Sequence, residues 1–141
     1  MNYPVTLTTD PETGQVMAAF PDLPGALTVG KDKTEAMNHA LGALITALSG
    51  YIDSGRQIPA PSSRSGQAAV SLPALVCAKL ALYEAMRRRK VTRAALAEKL
   101  GVDPRQVRRL LDLNHRSRMD QVETALKALG QRLVVSAKEA A

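Results

Sequence analysis

Apolar side chains recur at every second residue near the start of the chain and at every third or fourth residue through most of the rest. Tyr3, Val5 and Leu7 alternate with Pro4, Thr6 and Thr8, the period of a strand with one buried face. The run Thr9-Asp10-Pro11-Glu12-Thr13-Gly14 supplies turn chemistry, and Gln15 to Phe20 reads as the returning strand. A second turn, Pro21-Asp22-Leu23-Pro24-Gly25, is stiffened by prolines that fix φ and leads into a short strand at Ala26–Val29. Asp32 is placed to cap a helix, with Glu35 reaching back as in a capping box. Met37, Leu41, Leu44, Leu48 and Ile52 then fall on one helical face, and Gly55 is a natural stop. Residues 56–67, with Pro59, Pro61 and Ser62-Ser63, read as a loop, and Ala68–Leu72 as a fourth strand. The first half is therefore expected to be β-β-β-α-β.

Beyond it, the spacing predicts helices and one short terminal strand. Pro73 can open the next one, which should run to about Lys90 and bury Leu75, Leu80, Tyr83 and Met86. Two short helices are expected at about 93–100 and 104–113, then one at 118–129 ending at Gly130. Leu133-Val134-Val135 is a candidate terminal strand. The expected class is α+β, with an all-α second half and that short strand.

Composition adds one constraint. Hydrophobic residues make up 45% of the 141, but aromatics only 3%, with no Trp, so small aliphatics must pack two small halves. Halves of that size bury a limited share of their surface, which favours self-association. Charge changes the picture more. Residues 1–71 carry four Lys/Arg against six Asp/Glu, and residues 72–141 carry fifteen against seven. The net is −2 in front and +8 behind. A strongly basic second half points to a polyanion partner, although charge alone leaves a solvated basic surface equally open. Cys77 is the only cysteine and lies among apolar neighbours, so neither a disulfide framework nor a zinc site is expected. With no signal peptide visible and no apolar run near the length of a membrane span, the chain is expected to be cytoplasmic.

The segment Arg93 to Asp112 carries the most specific pattern. Two short helices that cross closely need a small residue at the crossing, here Ala97. They also need a residue tolerant of positive φ at the turn, here Gly101. Asp103 can cap the second helix and Pro104 suits its first turn. Leu96, Leu100, Val102, Val107 and Leu110 should supply the shared core. With the basic charge, these offsets describe a helix-turn-helix in preference to an ordinary helical hairpin. At about 100° per residue, Val107, Leu110 and Leu111 mark the buried side of the second helix. Arg105 and Arg109 then point away from the core, with Arg108 on their flank. Arginine can bridge guanine O6 and N7 with two hydrogen bonds, so Arg105 and Arg109 are the expected base readers. Arg108 and Gln106 can touch base or backbone, and Asp112 is expected to restrain Arg108 or Arg109. Arg93, His115, Arg116 and Arg118 lie at helix ends or in the following loop, where phosphate contacts arise. Arg87, Arg88, Arg89 and Lys90 can add to them or form a solvated helix end.

Taken in order, several of these stretches resemble the HicB antitoxin family in its helix-turn-helix variety. The resemblance rests on Phe20-Pro21-Asp22-Leu23-Pro24-Gly25 and on Gly55-Arg56-Gln57-Ile58-Pro59-Ala60-Pro61-Ser62. It continues in Val70-Ser71-Leu72-Pro73, in Lys79, and in Arg109-Leu110-Leu111-Asp112-Leu113-Asn114-His115. It implies an N-terminal domain like a truncated RNase H fold that binds and masks a small mRNA-cleaving toxin, HicA. It also implies a C-terminal domain that binds the operator of its own operon as a dimer or higher oligomer. Composition alone would divide the chain at 56–67. The family keeps that loop in the first domain, which places the boundary near Leu72-Pro73, giving domains 1–72 and 73–141. Phe20, Asp22 and Leu23, on the stiff corner of the acidic half, are candidates for the toxin contact. Leu133, Val134 and Val135 are candidates for a two-fold strand pairing, in a homodimer or homotetramer, that would cover an open edge.

An RNase H-like shape raises the question of a nuclease. Two-metal phosphoryl chemistry needs several carboxylates converging on the metals, but the strand at Tyr3–Thr8 has none. Asp10 and Glu12 fall in a turn, Asp32 and Glu35 at a helix start, and Asp53 near that helix's end. His39 lies off the apolar stripe. No enzyme activity, metal or cofactor is expected. The competing reading is a stand-alone regulator with a sensory first domain, which would need a sizeable pocket in about 70 residues.

Overall fold

The computed structural model describes residues 1–62 and 66–139. Its chain divides into two compact units, Met1–Cys77 and Ala78–Ala141.

In the first unit the expected opening strand is two strands. β1 (Asn2–Pro4) pairs antiparallel with β5 (Ala69–Ser71), with Tyr3 opposite Val70. β2 (Thr6–Thr9) instead joins β3 (Val16–Ala19) and β4 (Leu27–Gly30) in an antiparallel sheet of order β2-β3-β4. The switch falls beside Pro4, which has no N–H to carry a ladder onward. Val5 still donates to the Ala68 carbonyl at 2.8 Å, and the strand then changes partner. Tyr3 and Val5 are buried as the alternation requires, but Pro4 between them is buried too. Leu7 is only half-buried.

Helix α1 (Lys33–Asp53) starts where the capping pattern put it, with Asp32 Oδ1 accepting from the Glu35 N–H at 2.8 Å. Glu35 Oε1 reaches the Lys31 N–H, at 3.3 Å, not that of Asp32. The buried stripe is Ala36, Ala40, Leu44, Leu48 and Ile52, so Met37 and Leu41 are displaced to half-buried flanks. The cause is the approach of β4. A Cβ on Gly30 would lie 2.3 Å from the Ala36 nitrogen, so only small residues fit where the helix begins.

The corner between β3 and β4 closes on itself. Phe20 N–H donates to Ala26 O, Leu23 N–H to Phe20 O, and Ala26 N–H to Leu23 O, at 2.9–3.1 Å. Phe20, Leu23 and Ala26 are buried. The following loop is tied to this unit: Tyr3 Oη donates to Pro59 O at 2.6 Å, Asp22 Oδ2 accepts from Ser62 N–H and Oγ, and Ile58 is buried.

Among the described residues four helices follow: α2 (Ala74–Arg89), whose first turn crosses the boundary between units, α3 (Arg93–Leu100), α4 (Pro104–Leu111) and α5 (Met119–Ala128). Each lies within two residues of its expected bounds. In the second unit Leu80, Leu82, Tyr83, Ala85 and Met86 of α2 are buried, as are Leu96, Ala97, Val107, Leu110, Leu111, Leu113, Val122, Ala125, Leu126 and Leu129. Leu75, expected in the core, is half-buried; its neighbour Val76 takes the inner position. Val102 was expected in the core but is 37% exposed, because the turn carries it past the α3–α4 contact. The expected terminal strand is not formed. Residues 131–139 have no regular structure, and Val134 and Val135 are 75% and 70% exposed. Among the described residues no strand lies beside this segment to pair its backbone groups, and pairing is what makes a strand.

Candidate nucleic-acid interface

Local chemistry fixes the α3–turn–α4 segment. Thr92 Oγ1 accepts from the Ala95 N–H at 3.1 Å and starts α3. Gly101, at φ +66°, ψ +35°, ends it in the left-handed region. There the Gly101 N–H reaches Glu98 O and the Val102 N–H reaches Ala97 O, the paired bonds of a Schellman ending. Two residues later Asp103 Oδ1 accepts from the Arg105 N–H at 2.8 Å, with Pro104 in the first turn of α4. Val107, Leu110 and Leu111 face inward, and the intervening arginines are left in water.

Arg105 and Arg109, four residues apart, share the outer face. Arg105 is 73% exposed and its Nε lies 3.3 Å from Asp103 Oδ1. The Arg105 N–H and guanidinium hold the Asp103 carboxyl below its usual range, assisted by the charges of Arg109 and Arg108. Arg108 and Arg109 are exposed and form no side-chain ion pair among the described residues. Asp112 does not restrain either of them. Its Oδ1 accepts from the Asn114 N–H at 2.9 Å, shaping the turn after α4. Gln106 sits on the flank facing α5, in a shallow cleft with Leu100, Val102, Leu110, Gln121 and Thr124. Arg93, His115, Arg116 and Arg118 are exposed at helix ends and in the turn, with Arg118 paired to Asp120 at 2.7 Å. Arg87 pairs with Glu84, so the run at 87–90 is partly self-neutralised.

One residue escaped the reading of outward faces. Lys79 of α2 is fully buried, the one buried charged side chain among the described residues. Its Nζ donates to the carbonyls of Arg109, Asp112 and His115 at 2.7–2.9 Å and lies 2.9 Å from Ser117 Oγ. Burial pulls its pKa below the ordinary lysine value, and the Asp112 carboxylate opposes that shift. Beyond its place in the family resemblance, its sequence signal is a cation amid apolar neighbours, Ala78-Lys79-Leu80.

In the first unit Phe20 and Leu23 are core residues and Asp22 is engaged by Ser62. The corner's shape depends on them from within. Its exposed apolar neighbours are Met17, Leu27 and Val29, on the sheet's outer face. Among the described residues no group of His, Cys, Asp and Glu could hold a metal, and no helix is long and apolar enough to cross a membrane.

A family model described as HicB_like antitoxin of bacterial toxin-antitoxin system matches residues 2–81. The chain belongs to this family. It is 41% identical over 133 residues to Antitoxin HicB 2 of Photorhabdus laumondii, covering 94% of both chains. It is 40% identical over 134 residues to Antitoxin HicB of Escherichia coli, covering 94% of this chain and 96% of that one. Against Antitoxin HicB of Pseudomonas fluorescens the identity is 37% over 131 residues, with 92% and 90% covered. These similarities run well past the matched segment, through the arginine-bearing helix. The family implies a toxin partner and a regulatory role.

Proposed function

We propose that the first unit binds and masks a HicA-like, mRNA-cleaving toxin, and that the second is a helix-turn-helix that represses the chain's own operon in the cytoplasm. The observation that carries the DNA-binding half is α4. Its inner positions are sealed by Val107, Leu110 and Leu111, and Arg105, Arg108 and Arg109 stand in water. Arg105 and Arg109 read base edges and Arg108 reads base or backbone. Gln106 reaches the DNA only at the edge of the interface. Arg93, His115, Arg116 and Arg118 hold phosphates. The Arg105–Asp103 pair does not oppose this role, since both side chains are solvent-exposed and a solvent-screened pair of this kind is weak and yields readily to a guanine.

One such helix covers few base pairs, so a two-fold assembly supplies the second half-site. The exposed segment at Leu133-Val134-Val135 pairs with its twin and gains there a strand partner that it lacks among the described residues of its own chain. The toxin contact is built on the corner that Phe20, Asp22 and Leu23 shape, extended by the outer sheet face at Met17, Leu27 and Val29. An exposed apolar group of that kind marks an interaction surface.

Co-expression with a neighbouring reading frame for a small basic protein, followed by pull-down, tests the toxin half. Retention of that protein on the full chain, and its loss with Leu27→Lys/Val29→Lys, is expected. Failure of the native chain to retain it contradicts the reading. Titration of the DNA upstream of its own gene against random DNA tests the other half, and equal affinity for both contradicts it.

A further inference from the structure

We propose that Lys79 is a positioning residue for the DNA-reading surface, its ammonium group fixing where α4 ends and how residues 112–117 fold. The consequence for DNA rests on the reading above, whereas the fastening is a property of the chain itself. The carbonyls of Arg109, Asp112 and His115, three residues apart in sequence, converge on one Nζ. The last carbonyls of a helix have no partner within it and carry the negative end of its dipole. Arg109 O and Asp112 O lie at this end of α4 and His115 O in the turn beyond it. Each already accepts one backbone N–H, from Asp112, His115 and Ser117 respectively. Their remaining lone pairs, turned toward one buried point, would repel one another without a further donor.

A lysine ammonium is a compact donor of three protons, suited to three convergent acceptors, whereas arginine's planar fork is not. Ser117 closes the arrangement. Its Oγ faces Nζ, donates to Arg109 O at 3.3 Å, and lies 3.1 Å from His115 Nδ1. The turn is further held by the His115 N–H on Asp112 O and the Ser117 N–H on His115 O. Arg109, the outer reader nearest the end of α4, and His115 and Arg116 of the turn are thus all mounted on backbone that Lys79 fastens. Arg105, at the start of α4, is held by its own cap at Asp103.

The test uses the full chain and two readouts. In the native protein, the ammonium protons of a sealed Lys79 should exchange slowly enough to give a distinct 15N–1H signal, unlike those of exposed lysines. In Lys79→Met, amide exchange at His115 and Ser117 should quicken about tenfold or more while the amides of α5 keep their protection. The preference for its own upstream DNA over random DNA should fall about tenfold. Exchange at His115 and Ser117 that is unchanged in Lys79→Met, or that quickens equally throughout α2–α5, overturns the proposal. So does a native chain without the slow ammonium signal, a result that does not depend on the variant folding. A native chain with no preference for its upstream DNA contradicts the DNA-binding reading instead, and the exchange data still decide on Lys79.

Discussion

In the first unit the β2-β3-β4 sheet turns one face to α1 and leaves Met17, Leu27 and Val29 in water on the other. In the second unit α4 does the reverse, burying Val107, Leu110 and Leu111 and exposing Arg105, Arg108 and Arg109. Exposed apolar groups are costly to keep in water and are retained where another protein covers them. Exposed arginines on a net charge of +8 are cheap in water and gain most against phosphates, where counterions are released. Under the proposed function, two halves of similar size take two kinds of partner through what each leaves outside.

The largest effect should come from confusing inside with outside. Leu44→Ala, beneath the sheet, should cost about 2–5 kcal/mol of stability. Leu27→Ala, on the outer face, should stay within about 0.5 kcal/mol. Urea unfolding of the two variants compares the same substitution on opposite faces of one unit, and similar losses would mean that Leu27 is a structural residue.

A smaller effect separates two kinds of arginine. Arg109→Ala should cost about 1–3 kcal/mol on the upstream DNA and relax preference at one base position. Arg116→Ala should weaken specific and random DNA alike and reduce the salt slope by about 0.9. Titrations at several salt concentrations distinguish them.

Smaller still is the cap of α4. Folding lowers the pKa of Asp103, so its contribution is full above the unfolded carboxyl's pKa and is lost as pH falls through the folded one. Asp103→Ala should lower the melting midpoint by a few degrees near neutral pH, and the gap to the native chain should close as pH drops below the ordinary value of 3.8. A gap that is constant through that range would show that the carboxylate charge is not what caps the helix. The least effect is expected at Lys90, which ends α2 at φ +53° where α3 has Gly101. Lys90→Gly should raise stability by up to about 1 kcal/mol, since a left-handed conformation strains any residue with a Cβ, and thermal melts would detect it.

These contrasts also mark what the sequence could tell. Helix limits in the second unit were legible because Gly101, Asp103, Pro104 and Gly130 act on their immediate neighbours. Features decided by distant partners were not. The phase of the α1 stripe depends on Gly30 pressing against Ala36. The break in the first strand depends on which strand lies beside each half. The segment at Leu133–Val135 has the pattern of a strand but no partner strand among the described residues. The role of Lys79, though not its place in the family pattern, was hidden for the same reason, since its acceptors lie 30 to 38 residues away, and periodicity shows only that a cation interrupts an apolar face.

The central claim, one surface for a protein and another for DNA, is tested most directly by a crossed titration. Leu27→Lys/Val29→Lys and Arg105→Ala/Arg109→Ala are each titrated with the toxin and with the upstream DNA. The account predicts that the first variant loses the toxin and keeps its DNA preference, and that the second keeps the toxin and loses that preference. Loss of both partners by both variants, or an arginine variant weakened equally on upstream and random DNA, would contradict it.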